Sequence, residues 1–445
     1  MKIGFIAMSG IRACDTELLE LGLTLPGFVE RSKQIASLPS LGLLTLAGMT
    51  PKEHDVHYIE IPDLYAESGV LEEFDLVAIS SYSAQINEAY ELAHRYRETG
   101  VPVVMGGPHV TALPHEARKY ATSIVLGEGE PVWLEILEDA AAHQLKLIYD
   151  ARSLPYDLAD APMPAFELLD ISKYNRLTVQ TSRGCPHDCE FCAGSNLICS
   201  CYKQKPVAKV LAEIDRICRI WPHPFIEFAD DNSFINKAYW KELLPELKKR
   251  RIKWFTETDL SVADDPVLLQ LMRDSGCAQV LIGFESPTAA PLSGMEQRTN
   301  WKHDRFPGYK DAIHTIQSHG VTVNGCFIVG LDSQSPAVFD QIYDFVRETE
   351  LYEVQITILT AFPGTALYDR LKKSGRLIEP FNWKKCTLFD LNFRPQGMTG
   401  EELREGFHRL AMKLYSDEFT KWRRDAFKNQ LRAGTRGCIP RQHCA

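Results

Sequence analysis

Twice along the chain, short apolar runs alternate with stretches of helical spacing, and a proline-marked interruption separates the two series. Strands that alternate with helices build parallel sheets covered by helices, so the pattern specifies an α/β class and excludes bundles and sandwiches. In the first series, 2–8, 56–61, 76–80, 103–105 and 123–126 read as strands, and 86–99 has helical spacing that stops at Gly100. Residues 1–145 are expected to form a doubly wound, Rossmann-like domain, a type that binds ligands beyond the carboxyl ends of its strands. Pro155, Pro162 and Pro164 mark 146–170 as a linker.

The second series has strands at 177–181, 225–229, 254–258, 280–284, 325–330 and 354–359. Helical patterns follow at 207–221, 239–250, 266–275, 309–319, 336–348 and 365–374. Six such pairs make residues 171–374 a partial (β/α)6 barrel. Residues 375–445 read as a C-terminal helical extension, with one helix from 401 to near 432 and a polar tail. A length of 445 residues is more than one core normally serves and accords with this division.

A formal net charge of -10 argues against a nucleic-acid surface, which needs clustered Lys and Arg, and favours a small-molecule substrate. No apolar run approaches the roughly 20 residues that span a bilayer, and the opening residues read as a strand, so a cytoplasmic protein without a membrane span is expected. Twelve cysteines spread through so long a chain point to reduced thiols and metal ligation.

Three of these, Cys185, Cys189 and Cys192, share one short loop directly after the first barrel strand, where a barrel keeps its chemistry. Thiolates hold iron–sulfur clusters, and three ligands for four irons leave one iron open. A zinc site is the alternative, and it would need His187, Cys199 or Cys201 as a fourth ligand to close a tetrahedron. A disulfide suits a reducing compartment less well.

The loop, with Phe191 just before its last cysteine, resembles that of the radical S-adenosylmethionine (SAM) superfamily. The resemblance implies a 4Fe-4S cluster on the three cysteines, with SAM chelating the open iron. It also implies reductive cleavage of SAM to a 5'-deoxyadenosyl radical, fed by an electron donor such as flavodoxin or ferredoxin. Asp230, Asp231 and Asn232 end the second barrel strand where the family receives the methionine amino group. Glu285 stands where ribose hydroxyls would be bound, and the strand flanked by Gly325 and Gly330 where backbone would approach adenine.

Four further stretches, SLPSLGLL (37–44), GGPHV (106–110), GEGE (127–130) and FPGT (362–365), are similar to the subgroup with an N-terminal cobalamin-binding domain. That subgroup includes hopanoid C-methylases and the anaerobic magnesium-protoporphyrin cyclase. The resemblance implies cobalamin at the carboxyl edge of the first sheet, near Ser81, Gly106, Gly107 and His109, where a glycine turn admits a bulky ring. The D-x-H-x-x-G string that supplies a lower cobalt ligand in many cobalamin proteins is absent. Its nearest match, Asp55 to Glu60, lacks the glycine and leaves His57 a structural residue.

Three functions compete at this point. One is cobalamin-dependent radical methylation of a small molecule. Another is a different SAM chemistry, such as cyclisation or 3-amino-3-carboxypropyl transfer, with the N-terminal domain empty. The third is a metal-containing binding module that uses the barrel as scaffold. Cys199, Cys201, Cys438 and Cys444 are either incidental thiols or a set that gathers a soft substrate, a metal or a second cluster. For the loop trio the expectation is sharp: alanine at Cys185, Cys189 or Cys192 abolishes SAM cleavage, and a Cys189→Ala protein with full iron content and activity contradicts it.

Overall fold

The computed structural model describes residues 1–20, 38–66, 72–199 and 201–437. Ser37, Cys438 and Cys444 lie outside them. The described residues divide into two compact units, one of those before 232 together with Thr360–Arg394, the other of Asn232–Leu359 and the residues from Pro395 onward.

The first unit contains a parallel sheet of β1 (Lys2–Met8), β2 (Asp55–Glu60), β3 (Leu76–Ser81), β4 (Val103–Gly106), β5 (Ser123–Leu126) and β6 (Ile148–Asp150). Its order is β2-β1-β3-β4-β5-β6, so the winding reverses beside β1, as a doubly wound sheet requires. Ile3, Phe5, Leu76, Ala78, Val104 and Val125 form its core with Trp133, whose indole N–H donates to Thr50 Oγ1 at 2.9 Å. Helix Ile86–Glu98 buries Ile86, Ala89, Tyr90, Ala93 and Tyr96, one helical face, and stops before Gly100 at φ +86°. Strand β6 falls in the stretch read from the sequence as a linker. It is three residues long, too short to show a period of its own, and its pairing of Ile148 with Ile124 supplies the strand character.

The same unit holds β7 (Leu177–Val179), paired in parallel with β10 (Phe225–Phe228). Between them, β8 (Ser182–Arg183) and β9 (Lys203–Gln204) pair antiparallel and bracket the cysteine loop.

The second unit carries β11 (Lys253–Thr258), β12 (Cys277–Glu285), β13 (Thr322–Val329) and β14 (Glu353–Ile358), each parallel to the next. Helices Pro266–Asp274, Tyr309–Ser318 and Val338–Glu348 join them in turn, which is the strand–helix repeat of the sequence pattern. The single C-terminal helix expected over 401–432 is instead two, Gly400–Leu414 and Asp417–Gly437. Ser416 causes the break: its Oγ accepts the Phe419 N–H at 3.3 Å, and Asp417 and Glu418 favour a new N-terminus there. No helix among the described residues is long and apolar enough to cross a membrane.

Helix Gly400–Leu414 meets helix Val338–Glu348 at Gly406, where an added Cβ would stand 2.0 Å from Phe339 Cε2. Alanine in place of a helical glycine normally stabilises by up to about 1 kcal/mol. Here overpacking should reverse the sign, and Gly406→Ala is expected to destabilise by about 1–3 kcal/mol. A urea unfolding midpoint equal to or above that of the wild type contradicts this packing.

Candidate active site

Gly184 opens the cysteine loop at φ +86°, and a Cβ there would fall 2.5 Å from the Cys201 carbonyl oxygen. Only glycine lets the two limbs of the loop approach so closely. Within it, the Cys192 N–H donates to the Cys189 carbonyl at 3.1 Å; Cys189 is buried, while Cys185 and Cys192 are half-buried. The two acidic residues after β10 fasten the start of this loop and the turn that leads into it. Asp230 accepts from the Thr181 N–H at 2.7 Å, the Ser182 N–H at 2.9 Å and the Thr181 hydroxyl, fixing the turn between β7 and β8. Asp231 accepts from the Gly184 N–H at 3.0 Å, and a Cβ on Gly194 would lie 2.8 Å from Asp231 Oδ1 and 3.9 Å from Cys192 Sγ. Burial pushes the Asp231 carboxyl upward, against the Gly184 N–H and the Arg183 charge.

Glu190, inside the loop, is gripped by Arg370 at 2.9 and 2.6 Å, and its carbonyl accepts the Leu367 N–H at 2.9 Å. Leu367 and Arg370 belong to helix Ala366–Lys373, which the FPGT stretch sets in place. Thr365 caps it through the Tyr368 N–H at 3.2 Å, and Gly364, at φ +82°, lies where a Cβ would clash with Ala112 and Leu197.

Arg183, at the start of the loop, reaches the turn after β5. Its guanidinium donates to Glu128 at 2.6 Å and Glu130 at 2.8 Å, and Lys203 on β9 pairs with the other oxygen of Glu128. Burial opposes charge on Arg183, but Glu130 and Glu128 outweigh it and hold its pKa above the ordinary value. The GEGE motif is thus a two-carboxylate clamp on the cysteine loop.

Beside the clamp is a cavity of about 430 Å³ at the carboxyl ends of β3, β4 and β5. Gly106, Gly107, Gly127 and Gly129 line it, with Leu43, Leu46, Val104 and Val125, and Arg183 reaches it too. Gly107 (φ +104°) and Gly127 (φ +84°) keep the rim free of side chains. Two residues assigned here from the sequence face elsewhere. Ser81 donates to the Tyr82 carbonyl at 2.9 Å, and its neighbours Ser80 and Tyr82 line the cavity instead. His109 is 1% exposed, with Nδ1 against Ser83 Oγ at 3.0 Å and Nε2 against Glu116 at 3.3 Å, a carboxylate that Trp383 also holds at 3.0 Å. With both ring nitrogens engaged, His109 braces the helix behind Gly107. His57, on β2, pairs with its strand neighbour Asp55 and with Glu72 ahead of β3, and among the described residues no histidine lines the cavity.

In the second unit, Asn232 is tied to the end of β11: its Nδ2 donates to Asp259 at 2.8 Å and its Oδ1 accepts the Asp259 N–H at 3.2 Å. Glu285 follows a register shift in β12, takes φ +61°, and is ion-paired with Lys302, which also donates to the Gly283 carbonyl at 3.0 Å. A non-glycine residue held there is strained, a condition that concentrates at functional sites. Sequence reasoning missed Lys302, which lies on the short helix Trp301–Arg305, a segment of no recognisable motif. Gly325 is packed by Phe284 and Leu351, so the room left by its missing side chain is filled by protein. Gly330, at φ +94°, donates to Gln334 at 2.8 Å in a turn that Gln334 closes on the Ile328 carbonyl. Cys199 donates to the Cys201 carbonyl at 3.0 Å, turned to its own backbone, and burial raises its thiol pKa. Cys201 is exposed.

Residues 36–137 match the B12 binding domain and 179–346 the radical SAM superfamily, with a domain of unknown function (DUF4070) at 365–437. An uncharacterized methyltransferase of Synechocystis is 30% identical over 370 residues, covering 80% of this chain and 67% of that one. The chain belongs to the cobalamin-binding branch of the radical SAM superfamily. Bacteriochlorophyllide d C-12(1)-methyltransferase of Chlorobaculum tepidum is 29% identical over 393 residues, 85% of this chain and 83% of the relative. The solved structure of the radical SAM methyltransferase TsrM from Kitasatospora setae, with cobalamin and a [4Fe-4S] cluster bound, has the same fold. Its TM-score is 0.67 at 13% identity, over 98% of this chain and all of that one. The enzyme is a cobalamin-dependent radical SAM methyltransferase. Its own residues fit the cluster and cobalamin: a loop with three thiols, Cys199 being engaged by the Cys201 carbonyl, and a glycine-rimmed, largely apolar cavity beside it.

Arg183→Met would leave Glu128 and Glu130, 7% and 9% exposed, without their shared cation. Breaking a buried pair in this way costs about 3–5 kcal/mol. The variant is expected to unfold at a lower temperature and to take up less cobalamin, and an unchanged melting curve contradicts the clamp.

Proposed function

We propose that the enzyme methylates an unactivated carbon of a small molecule, in the cytoplasm, with flavodoxin or ferredoxin as electron source. One observation carries this reading: the cavity rimmed by Gly106 and Gly107 is also lined by Arg183, two residues before Cys185. A methyl donor in that cavity is next to the loop that generates the radical. When bound, the cluster and SAM supply a hydrogen-abstracting 5'-deoxyadenosyl radical and cobalamin supplies the methyl group.

In this reading Cys185, Cys189 and Cys192 hold the cluster. The sequence resemblance assigns Asp231 and Asn232 to the methionine end of SAM and Gly330 to its adenine. Glu285, one oxygen fixed by Lys302, offers its carboxylate to ribose hydroxyls. Gly106 and Gly107 pass backbone against the face of cobalamin. Arg183 keeps the loop and the cavity in register.

Each methylation needs one methyl group and one abstracted hydrogen. Anaerobically reconstituted enzyme is therefore expected to form S-adenosylhomocysteine and 5'-deoxyadenosine in equal amounts. Omitting cobalamin should stop the first and spare the second. Methylthioadenosine as the main product, or full turnover without cobalamin, would establish aminocarboxypropyl transfer or cyclisation instead.

A further inference from the structure

We propose that the barrel-side wall of the cavity is a subsite for a primary carboxamide, built from Thr178 and Glu227, and that it binds a carboxamide arm on the rim of the corrin. The assignment rests on the reading of this cavity as the cobalamin site.

Strands β7 and β10 pair in parallel with Glu227 opposite Thr178. Side chains alternate across a sheet, and Leu177 and Val179, both 0% exposed, occupy the other face. Thr178, Glu227 and Ala229 share the face toward the cavity, and all three line it. Thr178 is 4% exposed, yet among the described residues its hydroxyl has no hydrogen-bond partner. Buried hydroxyls are almost always satisfied, so this one is a donor waiting for an acceptor from whatever fills the cavity.

Its neighbour supplies the complementary group. Glu227 Oε2 accepts from the Arg176 Nε, and Arg176 is itself buried and steadied by Asn175 Oδ1 at 3.0 Å. The carboxylate is thus fixed in place beside the Thr178 hydroxyl. A hydroxyl donor next to a carboxylate acceptor matches one functional group well: a primary carboxamide, with a carbonyl that accepts and an NH2 that donates. A carboxylic acid at the same place would set two carboxylates against each other. Of the other polar lining groups, Glu128, Glu130 and Arg183 are committed to one another and to Lys203, while much of the rest is glycine backbone and aliphatic side chain suited to the flat face of a macrocycle. Cobalamin carries primary carboxamides around its corrin.

The test is anaerobic absorbance titration of the full-length, cluster-loaded enzyme with hydroxocobalamin and with cobalamin monocarboxylic acids, each having one rim amide hydrolysed. At least one monocarboxylate is expected to bind the wild type about tenfold more weakly than cobalamin, and Glu227→Gln to narrow that gap. Thr178→Val should weaken cobalamin binding about tenfold at unchanged iron content, with Thr178→Ser restoring it. Equal binding of cobalamin and every monocarboxylate by the wild type overturns the subsite without needing any variant. Equal cobalamin affinity in the wild type and Thr178→Val also overturns it, as it must if the carboxamide belongs to the methyl acceptor. A wild type that binds no cobalamin at all overturns the reading of the cavity itself.

Discussion

The ion-pair clamp of Arg183 on Glu128 and Glu130 is the interaction on which the first unit depends. Removing three charges from water is costly, and the arrangement is tolerable only because two carboxylates flank one guanidinium with Lys203 alongside. Its members come from the turn after β5 and from β8 and β9, the two strands that bracket the cysteine loop. The clamp therefore joins the edge of the doubly wound sheet to the site of the cluster. Glu190 with Arg370, and Gly364 against Ala112 and Leu197, fasten the same loop from its other side.

That fastening has a chemical purpose. In the proposed reaction, a substrate radical left by hydrogen abstraction has to meet the methyl group before it reacts elsewhere, which calls for a fixed relation between the two cofactors. Short turns and buried ion pairs supply it better than a flexible linker. In the second unit, the positive φ of Glu285 and its Lys302 partner show the same principle on a smaller scale: a strained residue kept in one pose by a charge from outside its strand.

The fold was legible because alternation of apolar runs and helical spacing is a local property, visible strand by strand. The cysteine trio was legible for the same reason, since its ligands lie within eight residues of one another. What the sequence hid depends on distant partners. Strand β6 exists through its pairing with β5, and Ser416 divides a helix by a capping bond that periodicity does not register. His109 looked like a cavity residue because it follows two glycines, but Ser83 and Glu116 turn it inward. Gly325 looked like an opening for a ligand until Phe284 and Leu351 filled the space. GEGE and FPGT stood out by resemblance alone, and only the folded chain shows them to be a clamp and a buttress.

The central claim is that one short loop and one adjoining cavity hold the two metal centres. Anomalous diffraction from anaerobic crystals of the cobalamin-loaded enzyme, collected at the iron and cobalt edges, tests it directly. The iron signal should lie among Cys185, Cys189 and Cys192, and the cobalt signal in the cavity between Gly107 and Arg183. Cobalt found elsewhere, or iron bound with Cys199 in a four-thiolate site, would contradict it.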